Sequence, residues 1–199
     1  MRRLIFFSLI IMISCIAPAQ TAKTVLDRAA ATISDKNGVS AQFKITSDNY
    51  GTTSGTIYVK GRKFHATTTD ASVWFDGKTQ WTYVTKNEEV NISTPSEDEL
   101  QAINPYNFIN IYKRGFSYAM KLDGNTYRVH LTAADKKRKI REMHIHVNKS
   151  SFVPTVVKML QGSRWTTITI SRFKATPLSD AMFVFDKSKY AHAEIIDLR

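Results

Sequence analysis

Glu142, His144 and His146 stand at alternate positions of one short segment, Ile140 to Val147. Two imidazoles and a carboxylate at that spacing are residues from which a metal site or an acid–base pair could be assembled. The positions between them hold Met143, Ile145 and Val147, so in a strand the apolar three take one face and the histidines the other. The histidine face, beside Lys139 and Arg141, reads as a water-facing surface rather than a metal site. His65, His130 and His192 are scattered and read as ordinary strand or surface residues. No Gly-x-Ser-x-Gly elbow, His-Glu-x-x-His pair or phosphate-binding loop is present. The expectation is a protein with no catalytic residues, no metal and no cofactor.

The amino terminus explains the single cysteine. Arg2-Arg3 precede an apolar run, Leu4 to Ile16, followed by Ala17-Pro18-Ala19-Gln20, which are the three parts of a secretory signal. Cleavage is expected after Ala19. The run is about 13 residues, short of the roughly 20 a membrane helix needs. Removal of residues 1–19 would take Cys15 with it and leave one domain, residues 20–199, without a disulfide. Met12-Ile13-Ser14-Cys15 also fits a lipobox, and acylation of Cys15 would instead make the chain membrane-anchored.

The net charge is +11 and survives loss of Arg2 and Arg3 almost intact. Lys136, Lys137, Arg138, Lys139 and Arg141 concentrate it at a predicted hairpin tip between strands. Export excludes nucleic acid as the partner, and the run reads as a solvated turn suited to acidic surfaces.

The positioning elements are mostly strands. Val25, Leu26, Ala29, Ala30 and Ile33 recur at helical spacing and predict an amphipathic helix from Ala22 to Ile33. Period-two alternation then predicts strands at Val39–Ser47, Gly55–Lys60, Lys63–Thr67, Ser72–Phe75, Gln80–Val84 and Glu89–Ile92. Thr94 to Tyr112 breaks the pattern and predicts two short helices split at Pro105. Strands resume at Phe116–Leu122, Thr126–Thr132, Ile140–Val147, Val153–Leu160, Thr166–Phe173 and Met182–Phe185. Short turns such as Asp76-Gly77 and Gly124-Asn125 favour antiparallel pairing. The fold class is mainly β with a helical lid: an incomplete, unclosed antiparallel barrel of about eleven strands, covered by the N-terminal helix and the short helical insertion.

Gly55, Ile57, Val59, Lys60, Phe64, Asp76, Gly77, Lys78, Trp81 and Tyr83 resemble the signature block of the periplasmic outer-membrane lipoprotein carriers of the LolA type. Ser179 to Phe185 resembles that family's closing strand, and Asp197 with Arg199 its C-terminal acid and arginine. The resemblance implies a non-enzymatic chaperone, monomeric and periplasmic. It would take acylated lipoproteins from an inner-membrane lipoprotein-releasing ABC transporter and yield them to the outer membrane or a receptor there. The family places an arginine and a proline at the corner after the Val-Lys strand, and that arginine latches the lid. This chain has Gly61 and Arg62, so Arg62 becomes the expected latch by a one-residue shift.

The implied cavity wall is Phe43, Ile57, Val59, Phe64, Phe75, Trp81, Tyr83, Phe116 and Tyr118, and the implied lid is Val25, Leu26, Ile103, Phe108 and Ile109. Enclosing a 16-carbon chain at about 0.8 kcal/mol per methylene is worth roughly 12 kcal/mol. A carrier must therefore have a plastic cavity for which its own lid competes, and Met120, Met143, Met159 and Met182 suit such a wall. Two other readings of the same fold are a membrane-anchored lipoprotein acceptor, if Cys15 is acylated, and a lipid-sensing regulator of envelope stress.

Overall fold

The computed structural model describes residues 21–48, 51–96, 111–113 and 115–199. Helix α1 spans Ala22–Ile33. Its start is fixed by Thr21, whose hydroxyl accepts the Thr24 backbone N–H at 3.1 Å, satisfying one of the free amides of the first turn.

Twelve strands follow: β1 Val39–Ser47, β2 Gly51–Lys60, β3 Lys63–Thr68, β4 Ala71–Phe75, β5 Gln80–Val84, β6 Glu89–Ser93, β7 Phe116–Asp123, β8 Thr126–Ala133, β9 Ile140–Asn148, β10 Pro154–Gln161, β11 Arg164–Ala175 and β12 Glu194–Asp197. They form one sheet in the order β12-β6-β5-β4-β3-β2-β1-β11-β10-β9-β8-β7. Every pairing is antiparallel except β12 on β6. Two meanders are thus joined where β1 lies against β11, and the terminal strands β7 and β12 stay unpaired with each other. The barrel is unclosed, as expected. A sheet this wide must coil, because each strand is twisted relative to the next.

The turn chemistry is local. Asp76 Oδ1 accepts the amides of Lys78 at 2.8 Å and Thr79 at 2.7 Å, while Gly77 takes φ of +106°, and the β4–β5 hairpin follows. At Gly55 the constraint is a close approach. A Cβ there would meet the Thr67 carbonyl oxygen at 2.0 Å and the Phe43 ring at 2.7 Å, so glycine lets the Phe43 ring lie across β2.

Alternation assigns Val39, Ala41 and Phe43 to the same face as Ile57, Val59, Phe64, Phe75, Val129, Leu131, Met143, Ile145, Val157, Ile168 and Ile170, which belong to one core with α1. This is the concave face. Val25, Leu26, Ala29 and Ile33 of α1 are buried within that core. The opposite, convex face carries Tyr58, His65, Trp74, Trp81 and Tyr83 over β2 to β5, and the segment after β11 lies against it. Ser179 caps a short 3₁₀ turn, Asp180–Phe183, and a second turn, Lys187–Tyr190, follows.

Two sequence expectations change here. Met182–Phe185 is not a strand, because the Ser179 hydroxyl accepts the Ala181 amide and turns the backbone. The final strand is instead Glu194–Asp197, which covers the edge of β6 that would otherwise expose a row of unpaired amides. The predicted helical insertion lies largely outside the described residues, as do Ile103, Phe108 and Ile109.

Candidate functional site

Among the described residues, most of the expected cavity wall converges on the concave surface. Phe43, Ile57, Val59, Phe64, Phe75 and Phe116 are all buried against the core that contains α1. Tyr118 packs on the same core from β7, half-buried, with Met120 and Met159. An apolar stripe of α1 therefore occupies the surface that an apolar guest would need.

A polar bond ties the middle of that helix to the segment before β7. Tyr112, fully buried, donates its phenolic O–H to Asp27 Oδ1 at 2.6 Å, and Lys23 donates to Asp27 Oδ2 at 2.7 Å. Tyr118 in turn donates its O–H to the backbone carbonyl of Tyr112. The chain thus links α1, the segment entering β7, and β7 itself. The Lys23 and Tyr112 hydrogen bonds hold the Asp27 carboxyl below its usual range, while burial and then the Asp27 bond push the Tyr112 phenol up. Further along α1 the Arg28 guanidinium sits 3.7 Å above the Phe152 ring centroid, a cation–π contact.

Trp81 and Tyr83 are not in this site. Trp81 pairs with Trp74 and Tyr83 with Ser72, and Trp74 pairs with His65, which places all of them on the convex face. There Trp74 stacks on His65 at 4.8 Å between centroids and meets Phe185 and Tyr190 edge-on, each at 5.5 Å, while Tyr83 contacts Tyr190 at 4.7 Å. The aromatics of β4 and β5 face both ways because both faces are covered, the concave side by the core and the convex side by the C-terminal segment. Burial pulls His65 down to about 4, and neither ring nitrogen has a hydrogen-bond partner among the described residues. A cleft of about 990 Å³ runs between His65, Trp74, Met182, Phe185 and Tyr190.

Arg62, the expected latch, is exposed in the β2–β3 turn beside Gly61. The two lysines at that corner bond to the C-terminal segment. Lys60 donates to the Leu178 carbonyl at 2.9 Å, and Asp180 lies 3.0 Å from Lys60 and 3.3 Å from Lys63. Those contacts fasten the C-terminal segment to the convex side. Among the described residues, α1 is bonded to the segment before β7 through Asp27 and Tyr112, a pair that sequence spacing does not reveal because the two are far apart in the chain.

Residues 13–163 match the family described as outer membrane lipoprotein carrier protein LolA. The chain belongs to this family. The LolA match covers most of the chain and includes α1 and the whole Gly55 to Tyr83 block. No curated protein sequence matches the chain. Among solved structures, an uncharacterized conserved protein from Thermus thermophilus superposes with a TM-score of 0.61 at 15% identity, covering 89% of this chain and 99% of that one. A LolA superfamily protein from Nitrosomonas europaea gives 0.47 at 13% identity over 84% and 99% of the two chains. The MucA/MucB complex structure of Pseudomonas aeruginosa gives 0.45 at 12% identity over 86% and 62%. The first of these superpositions supports the LolA-like fold of an open sheet with a helix on its concave face. Among the described residues no helix is long and apolar enough to cross a membrane.

At the far end of the chain, Asp197 and Arg199 bond through two contacts, 2.9 Å from Nε and 2.6 Å from a terminal nitrogen. The pairing pulls the Asp197 carboxyl down to about 2. The acid and arginine that resemble the family's C-terminal pair are partners.

Proposed function

We propose that the protein is a periplasmic lipoprotein carrier that shelters acyl chains against the concave face of its half-barrel while crossing from the inner to the outer membrane. The observation that carries this reading is the seat of α1. Val25, Leu26, Ala29 and Ile33 are buried on the surface formed by Phe43, Ile57, Val59, Phe64 and Phe116. Helix and acyl chain would compete for the same apolar area, so the free protein keeps its core covered and the loaded protein displaces the helix. Family membership supports cargo of this class, and nothing in the reading calls for covalent chemistry.

A carrier must also release what it binds. The gross gain from burying an acyl chain, about 0.8 kcal/mol per methylene, is reduced by the packing and hydrogen bonds that α1 loses on leaving. Tyr112 and Asp27 set part of that return force. Donors and acceptors of cargo would be an inner-membrane lipoprotein-releasing ABC transporter and the outer membrane or a receptor in it.

Export with cleavage after Ala19 belongs to the same proposal, with acylation at Cys15 as the competing maturation. The test of function is direct: the mature domain mixed with a detergent-solubilised tri-acylated lipoprotein should keep it soluble as detergent is removed. Precipitation of the cargo at equimolar carrier would overturn the reading.

A further inference from the structure

The convex face of the second meander brings together residues that lie apart in the sequence. His130 on β8 is the direct cross-strand partner of His144 on β9, and their imidazole rings lie parallel, 4.4 Å between centroids and 5° between planes. Glu142, two residues before His144, projects on the same face and places Oε1 2.9 Å from His130 Nε2 and 3.1 Å from His144 Nε2. The three donor atoms lie within 4.8 Å of one another.

We propose that His130, Glu142 and His144 form a binding site for a divalent transition-metal ion of the zinc class. Zinc holds imidazole nitrogen and carboxylate oxygen at about 2.0–2.2 Å in a tetrahedron, which puts neighbouring donors about 3.3 Å apart. The two nitrogen-to-oxygen separations are already close to that edge, and the two stacked rings turn about their side-chain torsions to aim both Nε2 lone pairs at one ion. Two imidazoles and one carboxylate are a donor set preferred by zinc, copper and nickel over calcium or magnesium. The three side chains are 41%, 32% and 37% exposed in the order His130, Glu142, His144, which leaves a fourth position for water.

Without an ion, each ring donates its Nε2 proton to the shared Glu142 oxygen. Binding at Nε2 moves that proton to Nδ1, so the site converts a hydrogen-bonded trio into a coordination sphere with no change in backbone. Lys158 pairs across from His144 and Arg128 from His146, and their positive charge lowers affinity for a cation. The Asp123 carboxylate, 2.5 Å from Arg128, offsets part of this. An affinity weaker than that of a buried structural site follows. Because the trio is on the face opposite the core, the site stands whether or not the concave surface takes acyl chains.

The experiment uses untagged mature protein freed of metal, titrated with Zn²⁺ against a chromophoric competitor and, separately, with Co²⁺. One equivalent of Zn²⁺ and intense visible bands of four-coordinate Co²⁺ are expected. His130→Gln, His144→Gln and Glu142→Gln should each weaken binding at least tenfold, with His192→Gln unchanged, and Zn²⁺ should raise the melting temperature of the parent protein only. The glutamine variants keep a polar side chain on an exposed face and should melt like the parent in chelator. Absence of binding in the parent, or binding that survives loss of both His130 and His144, overturns the proposal.

Discussion

Tyr112 donates its phenolic proton to Asp27 across 2.6 Å, and that bond joins the helix on the concave face to the chain that enters β7. A hydroxyl bonded to a carboxylate is among the stronger neutral-to-charged contacts, typically about 1.5–3 kcal/mol. Its position makes it a resistance to helix departure rather than general support for the sheet.

Tyr112→Phe keeps the buried ring and removes only the bond. Stability should fall by about 1–2 kcal/mol, discounted from the upper range because Asp27 retains Lys23 and reaches solvent. Binding of an acyl probe should become tighter, since less is lost when α1 leaves. Chemical denaturation and probe titration measure the two effects, and a variant that is less stable without binding better would break the link between helix and guest.

Acid should act in two separate windows. The folded pKa of His65 is about 4, below the roughly 6.5 of the unfolded chain, so the unfolded state takes up the proton first and stability declines as pH falls from about 6.5 toward 4. Asp27 is also depressed in the fold. Its contribution is complete above the unfolded carboxyl value of about 3.9 and is lost only as pH falls further, through the folded value. Melting temperature followed from pH 7 to 3 should show His65→Phe making the upper window shallower, with the rest of its slope left to His146, which burial also holds below its usual value, and an unchanged slope there would refute the buried neutral imidazole.

Gly55→Ala is expected to be severe for a single methyl. The added carbon would stand 2.0 Å from the Thr67 carbonyl oxygen, which belongs to the neighbouring strand and cannot move away alone. A loss of about 2–3 kcal/mol follows. Equilibrium unfolding in urea decides it, and a change within about 0.5 kcal/mol would mean the strands yield more easily than their pairing implies.

The sequence-level pattern carried far because most of this protein obeys one rule. In β1, β8 and β9 every second residue is apolar and every second one meets water, so alternation assigns strand and face together. The rule fails where the sheet is covered twice. In β4 and β5 the run Val73-Trp74-Phe75 and the pair Trp81 and Tyr83 put large side chains on both faces, and the cavity wall implied by the family resemblance takes in Trp81 and Tyr83. The consecutive bulk of Trp74 and Phe75 was the available sign of two covered faces. What covers the second face, Phe185 and Tyr190, lies about a hundred residues away, and the His130–His144 pair likewise exists only through strand register. Helical spacing identified Val25 and Leu26, whereas the Asp27–Tyr112 bond has no local signature.

The division of faces separates two sets of aromatic residues experimentally. Tyr118→Ala and Met120→Ser alter partly buried positions of the concave side and should reduce capture of an acylated probe several-fold. Tyr83→Ala, on the convex side, should leave capture within about twofold while lowering stability modestly. Fluorescent fatty-acyl binding, with melting curves run alongside, gives the comparison, and equal loss from both faces would mean the guest site is elsewhere.

The central claim is that the surface under α1 is where acyl chains go. Hydrogen exchange of the mature domain, measured with and without a tri-acylated lipoprotein held in solution, tests it most directly. The account predicts that cargo increases exchange in α1, Ala22 to Ile33, while the amides of β1, β2 and β8 stay protected. Cargo held in solution with α1 fully protected would contradict it.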